Sequence, residues 1–214
     1  MPPATTSRIQ PHAPVAERVL LPGDPGRALR MAQWLLEAPK MLNHHRGLWG
    51  YTGEASADGA LLTIQSSGTG GPSAALVVAD LAALGARRVV RVGTALSAAL
   101  PLGEIVVAER ILASDGTSRA LGGGEPDPRL TEALAGAGAR RVTLLSVDVL
   151  GPEGEDALVI DLQTAAVIAA ASRAHIAAAS IVAVTECEGV RIGAEALAEA
   201  EQGLGRIALG ALAS

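Results

Sequence analysis

The stretch Arg88–Val89–Val90–Arg91–Val92–Gly93–Thr94 constrains this chain more than any other. Val89, Val90 and Val92 form a short β-branched run of the kind that fills a sheet buried on both faces. A strand of that kind disfavours an unpaired guanidinium, because a buried charge without a partner is costly. Arg91 therefore either snorkels to solvent from a strand end or faces an anion. Gly93 and Thr94 stand where the strand would leave the sheet, the end at which open α/β sheets bind ligands. A forked donor, an approachable backbone and a hydroxyl there make a small anion site.

Composition narrows the setting. A chain of 214 residues, 49% hydrophobic and 18% charged, suits one globular domain over 1–214, with residues 1–14 as a loose arm. Its net charge of −5 argues against a general nucleic-acid or anionic-membrane surface, so any positive field must be local. With no Phe and only Tyr51, Trp34 and Trp49 as aromatics, there is no base-stacking platform. Cys187 is the only cysteine, which points to a reducing, cytoplasmic setting. The first fourteen residues lack the charged and apolar pattern of a secretory leader, and no run of about eighteen apolar residues predicts a membrane span.

Two glycine turns join strand patterns to helix patterns. The strand at 18–21 runs into Pro22–Gly23–Asp24–Pro25–Gly26–Arg27, where Asp24 suits an N-cap and Pro25 the first helical position of a helix to 36. Such a helix start offers N–H groups to an anion, with Arg27 beside them; alone it also reads as a capped turn with a surface arginine. Strands are expected at 40–45, 48–54 and 61–66, the last two joined by a hairpin at Asp58–Gly59. Ser67–Gly68–Thr69–Gly70–Gly71–Pro72–Ser73 then opens a helix through Ala83. It is not a dinucleotide fingerprint, since Pro72 and Ser73 stand where a third glycine belongs and Arg87 and Arg88 where an acidic ribose ligand belongs. Further strands are expected at 103–109, 141–146, 158–160 and 176–185, a turn at 114–117, a loop at 122–126, and helices at 128–135, 162–174 and 194–212. The alternation predicts an α/β fold, a mixed central sheet flanked by helices, with no repeat and no second domain. His44, His45 and His175 read as structural or solvated, and their spacing makes no metal cage.

These segments, in this order, resemble the nucleoside phosphorylase family, in particular the hexameric purine nucleoside phosphorylase and uridine phosphorylase group. Leu21–Pro22–Gly23–Asp24–Pro25–Gly26–Arg27 resembles its first phosphate loop, and His45–Arg46–Gly47–Leu48–Trp49–Gly50–Tyr51–Thr52–Gly53 its second arginine segment. Ser67 to Ser73 resembles its glycine-rich turn, and Arg91–Val92–Gly93–Thr94 its third phosphate element. The resemblance implies a nucleoside phosphorylase-like fold in which Gly23, Arg27, Arg91, Gly93 and Thr94 bind phosphate. Arg46 would join them from a neighbouring subunit of a homo-oligomer, dimer-based and hexameric. Inorganic phosphate is the implied co-substrate, with no cofactor and no metal. The implied reaction is phosphorolysis, phosphate attacking the anomeric carbon of a nucleoside to release base and pentose 1-phosphate.

The sequence departs from the family at the sugar and the base. Where the family's ribose element reads valine, glutamate, methionine, glutamate, this chain has Ile160–Asp161–Leu162–Gln163. Gln163 takes the place of the glutamate that grips the ribose hydroxyls and lacks its charge; Leu162 conserves volume under the sugar. Glu186 stands where the family has an aspartate or asparagine, and is either the acid at the leaving base or a solvated strand-end residue. Asp148 is not followed by the family's aromatic pair, the connection to Ile160 is short, and His12 or Gln10 would have to serve as the N-terminal residue reaching the neighbour's nucleoside. Arg91 and Glu186 are the catalytic candidates, and Asp161, Leu162, Gln163, Glu186 and His12 the nucleoside-binding ones. Three functions remain: a purine-type nucleoside phosphorylase, a phosphate- or sugar-phosphate-binding paralogue with little turnover, and a nucleosidase, which the retained arginines disfavour.

Overall fold

The computed structural model describes residues 8–150 and 158–213. β1 (Arg18–Pro22) is buried throughout and gives way at Gly23 to α1 (Pro25–Leu35). The Asp24 carboxylate caps that helix by accepting from the Arg27 N–H at 2.6 Å, and Pro25 fixes φ in its first turn. β2 (Leu36–Asn43), a 3₁₀ turn at His45–Gly47, β3 (Gly50–Ala55) and β4 (Leu61–Gln65) follow as an antiparallel run. Next come α2 (Gly71–Ala83), β5 (Arg88–Ser97), β6 (Ile105–Ser114) and α3 (Gly116–Leu121). The chain continues through α4 (Pro128–Gly136), β7 (Arg140–Val147), β8 (Val159–Asp161), α5 (Thr164–Arg173), β9 (Ala177–Cys187), β10 (Val190–Arg191) and α6 (Ala194–Ala213).

Among the described residues, the ten strands join one mixed sheet. β4, β1, β5 and β9 lie side by side and parallel, with β5 between β1 and β9. β9 also pairs antiparallel with β6, β6 parallel with β7, and β7 parallel with β8. β8 returns to β5 through Leu96 and Ile160. The pairings β5–β9–β6–β7–β8–β5 therefore close on themselves, so part of the mixed sheet is a small ring. A register shift between Ala95 and Leu96 bends β5 where it meets β8. This topology sends the carboxyl ends of β1, β4 and β5 and the end of β8 to one place.

The helices cover both faces. Met31 and Leu35 of α1, Leu134 of α4 and Leu204 and Leu212 of α6 pack on Leu20, Val90, Val92 and Ile181. On the other face Val77, Val78 and Leu81 of α2 and Val167 and Ile168 of α5 meet Val19, Leu21 and Val89. Val106, Val142, Leu144, Val159, Val182 and Val184 form a third cluster drawn from the ring strands. With no Phe available, closeness comes from small residues: Ala165, Ala166, Ala169, Ala170 and Ala171 are all buried in α5.

Several local expectations change. The turn expected at 114–117 begins α3, a helix too short to show a period. The strand expected at 40–45 spans 36–43, because α1 passes directly into β2. Residues 8–14, expected within a loose arm, are tied down: the Arg8 and Ile9 N–H groups donate to Asp80 Oδ2, Gln10 N–H to Asn43 Oδ1 and His12 N–H to Leu42 O. The rest of that arm, 1–7, and the start of the short connection after Leu150, 151–157, lie outside the described residues.

Candidate functional site

The converging strand ends enclose a cavity of about 320 Å³ lined by Gly23, Arg27, Gly68, Thr69, Gly70, Arg91, Gly93, Thr94, Asp161, Leu162 and Gln163, with Asp24, Leu96 and Leu150 at its margins. That size suits a small polar ligand. Eight expected site residues meet here: Gly23, Arg27, Arg91, Gly93, Thr94, Asp161, Leu162 and Gln163.

Arg91 is 4% exposed, and the fold does hold partners for it: Nη2 lies 2.9 Å from Asp161 Oδ2 and donates to Gln163 Oε1 at 3.3 Å. The expectation of an arginine with no protein partner is thus corrected. Asp161 comes from β8, which only the ring closure brings against β5. Yet Nε and Nη1 of Arg91 are buried and unpartnered among the described residues. Burial pushes the Arg91 pKa down, Asp161 pulls it back up, and nearby Arg27 pushes it down again. A guanidinium remains charged under such pressure, so an anion is the group that would relieve it. Gly93 allows the fold-back, because a Cβ there would overlap the Arg91 guanidinium.

Asp161 is saturated. Its Oδ1 accepts from Ser146 Oγ at 2.6 Å and from the Gln163 and Thr164 N–H groups, and its Oδ2 from Thr164 Oγ1 at 2.7 Å besides Arg91. It caps α5 and anchors Arg91 together. Gln163 spans the cavity wall, with Nε2 donating to Gly68 O at 2.5 Å.

The two glycine turns differ. Asp24 takes the α1 N–H that an anion was expected to use. The α2 start is capped by Gly70 at φ 83° with no side-chain bond, Gly68, Thr69 and Gly70 line the cavity, and Ser73 Oγ donating to Ser67 O at 2.6 Å braces that turn. The sequence marks this turn as a second strand-to-helix anion site, without naming Gly68, Thr69 or Gly70 as site residues. Sequence reasoning also missed Glu201 of α6, whose Oε1 accepts from Arg27 Nε at 2.9 Å. The available signal was a glutamate on the apolar face of α6, between Ala200 and Leu204 in the helical pattern.

Three expected residues lie elsewhere. Arg46 is exposed, in a recess with Arg8, Leu48, Ser73 and Leu76. His12 is exposed and stacks on His44, ring centroids 5.3 Å apart. Glu186 lines a neighbouring cleft with Ser97, Leu158, Ile160 and Glu188, sharing among the described residues only Leu96 with the main cavity, and its Oε2 meets Arg191 Nε at 3.1 Å. Asp148 accepts from the Gly116 N–H at 2.9 Å. Among the described residues no group of three or more His, Cys, Asp or Glu could hold a metal, and no helix is long and apolar enough to cross a membrane.

The Phosphorylase superfamily matches residues 17–143, more than half of the chain. A purine nucleoside phosphorylase DeoD-type from Oceanobacillus iheyensis is 41% identical over 81 residues, 37% of this chain and 34% of that protein. A uridine phosphorylase from Thermococcus kodakarensis is 35% identical over 107 residues, 49% of this chain and 38% of that protein. The chain thus spans little more than a third of the length of these relatives. A purine nucleoside phosphorylase from Toxoplasma gondii, solved with immucillin-H, superposes with a TM-score of 0.83 over 93% of this chain and 91% of that one, at 22% identity. That likeness bears on the fold, which it shares.

Proposed function

The chain belongs to the Phosphorylase superfamily, and from that premise we propose that it catalyses phosphorolysis of a purine-type nucleoside. A phosphate oxygen bonds to the anomeric carbon as the glycosidic C–N bond breaks. The electron pair leaves with the base, which takes up a proton, and pentose 1-phosphate remains. The observation that carries this reading is the buried Arg91 guanidinium, with Nε and Nη1 unpartnered among the described residues, in a cavity that also holds Arg27, Thr94 and the Gly68–Gly70 turn that leads into α2. The two Arg91 nitrogens are buried donors without a matching acceptor, which suits a phosphate dianion. Gln163 and Leu162 border the space left for a sugar, and holding both reactants in line is the main service such a site offers. Glu186 is the candidate proton donor to the base, reached through the shared edge at Leu96.

Inorganic phosphate is the co-substrate in this proposal, and no cofactor is assigned. A second copy of the chain would supply Arg46, and its His12 would approach the nucleoside, in a dimer that the resemblance extends to a hexamer. The single Cys187 fits a cytoplasmic enzyme.

Base release from inosine or guanosine, measured with and without phosphate, tests the proposal; release should require phosphate. Release without phosphate would make it a nucleosidase. A second reading, a phosphate- or sugar-phosphate-binding paralogue with little turnover, is favoured by the neutral Gln163 and by Glu186 engaging Arg191 outside the cavity. Phosphate binding with no base release would select it.

A further inference from the structure

Arg27 is held from outside the sheet. Glu201, 1% exposed on α6, receives its Nε at Oε1, and the same carboxylate receives Arg30 Nε at Oε2 and Arg30 Nη2 at Oε1, each at 2.9 Å. We propose that Glu201 and Arg30 form a positioning pair for Arg27: the carboxylate fixes the guanidinium through Nε, and Arg30 offsets the carboxylate so that Arg27 keeps its positive charge toward the anion. This deepens the reading of the cavity as a phosphate site and rests on it.

Three observations support the pair. Glu201 engages Arg27 through Nε alone, and among the described residues the two Nη groups of Arg27 make no protein hydrogen bond, while Arg27 lines the cavity. The α1–α6 contact is otherwise apolar, with Leu35 against Gly205 and Met31, Leu204 and Leu209 in one cluster. A buried carboxylate adds little to such a contact that an apolar residue would not supply, which leaves orientation as its use. Charge is the third. Arg91 with Asp161 is a neutral pair, and Arg27 with Glu201 alone would be another. Arg30 offsets the Glu201 carboxylate, so the Arg27–Glu201–Arg30 group keeps a net positive charge; Asp24, 3.9 Å from Arg30 Nη2, is turned to the N-terminus of α1, where it accepts from the Arg27 N–H. Because Arg30 is about two-fifths exposed, it can do this without being buried itself.

Calorimetric titration with inorganic phosphate tests the pair in wild type, Glu201→Gln, Glu201→Asp and Arg30→Gln, alongside inosine kinetics. Loss of a charge-assisted bond predicts that Glu201→Gln raises the phosphate Kd about tenfold or more. Glu201→Asp should recover part of that loss, and Arg30→Gln should weaken phosphate several-fold, because the Glu201 charge would then be set against Arg27 alone. The KM for inosine should stay near wild type throughout, a split that loss of packing alone would not give. Phosphate affinity within about twofold of wild type in folded Glu201→Gln would overturn the pair. If that variant fails to fold, Arg30→Gln decides: unchanged phosphate affinity there overturns it equally. Absence of phosphate binding in wild type would instead overturn the phosphate-site reading itself.

Discussion

At Gln163 one amide serves two neighbours: Nε2 donates to Gly68 O, and Oε1 accepts from Arg91 Nη2. A carboxylate there would keep Arg91 Nη2 on one oxygen and, unable to donate to Gly68 O, would turn the other toward the cavity, where the proposed sugar would sit. In phosphorolysis positive charge develops at the anomeric carbon, and a fixed carboxylate stabilises it more than an amide does. Gln163→Glu is therefore expected to raise kcat/KM for inosine about tenfold, equivalent to about 1.4 kcal/mol. The lost bond to Gly68 should cost about 1 kcal/mol of stability. An unchanged or lower kcat/KM in the folded variant would show that the sugar side does not limit the reaction and turn attention to Glu186. Arg91→Lys makes the complementary point: a lysine lacks the fork that pairs with Asp161 and still offers Nε and Nη1. Phosphate binding should fall by about tenfold or more, read by calorimetry; wild-type affinity would mean that the orphaned nitrogens are not the anion contacts.

Among elements, the β3–β4 hairpin is the one whose anchor titrates. Arg18 of β1 reaches over it, its Nη1 and Nη2 donating to Asp58 at 2.5 and 2.6 Å and its Nη2 also to Ala60 O. The guanidinium holds the Asp58 pKa down at about 2. A carboxylate whose native pKa is depressed contributes stability above its unfolded value, near 4, and loses it as pH falls toward the native one. Asp58→Asn should lower the melting temperature at pH 7, and the gap to wild type should close between about pH 4 and pH 2; a gap that is constant with pH would assign the loss to packing. Elements like this hairpin were legible because Asp58–Gly59, Asp24–Pro25 and Gly70–Gly71–Pro72 state their turn chemistry locally. Most pairing across the chain was not. Arg91 meets Asp161 only because β8 closes the ring onto β5, and Arg27 meets Glu201 across 174 positions. The resemblance brought Asp161 and Gln163 to the site, but not the fact that Asp161 is spent on capping α5 and holding Arg91. The six-residue α3 was illegible for a simpler reason, since its length is under two helical turns.

For the whole molecule, a ligand that binds only the folded state must stabilise it. Phosphate at a hundredfold excess over its Kd should add about 2.7 kcal/mol, a rise in melting temperature of about 5–10 °C for a chain of this length; chloride at equal ionic strength should not. Assembly is the larger question, because Arg46 is displayed away from the chain's own cavity. It stands at φ 57°, a conformation few side chains adopt, and its turn is braced by Asn43 Nδ2 and Gln65 Nε2, both donating to Leu48 O. A braced, outward arginine beside exposed Leu76 and Trp49 suits delivery to a second copy. Complementation tests it. Arg46→Ala and Arg91→Met should each be inactive alone, since each removes one arginine from every site. In a mixed dimer, the Arg46→Ala subunit keeps its own Arg91 and receives Arg46 from its partner, so one of its two sites is whole. Random pairing makes half the dimers mixed, and half of their sites intact, so co-refolded variants should recover about a quarter of wild-type activity. Recovery with no subunit exchange, or a monomer at micromolar concentration with full activity, would sink the shared site. The turn that holds Arg46 would then serve only to join β2 to β3.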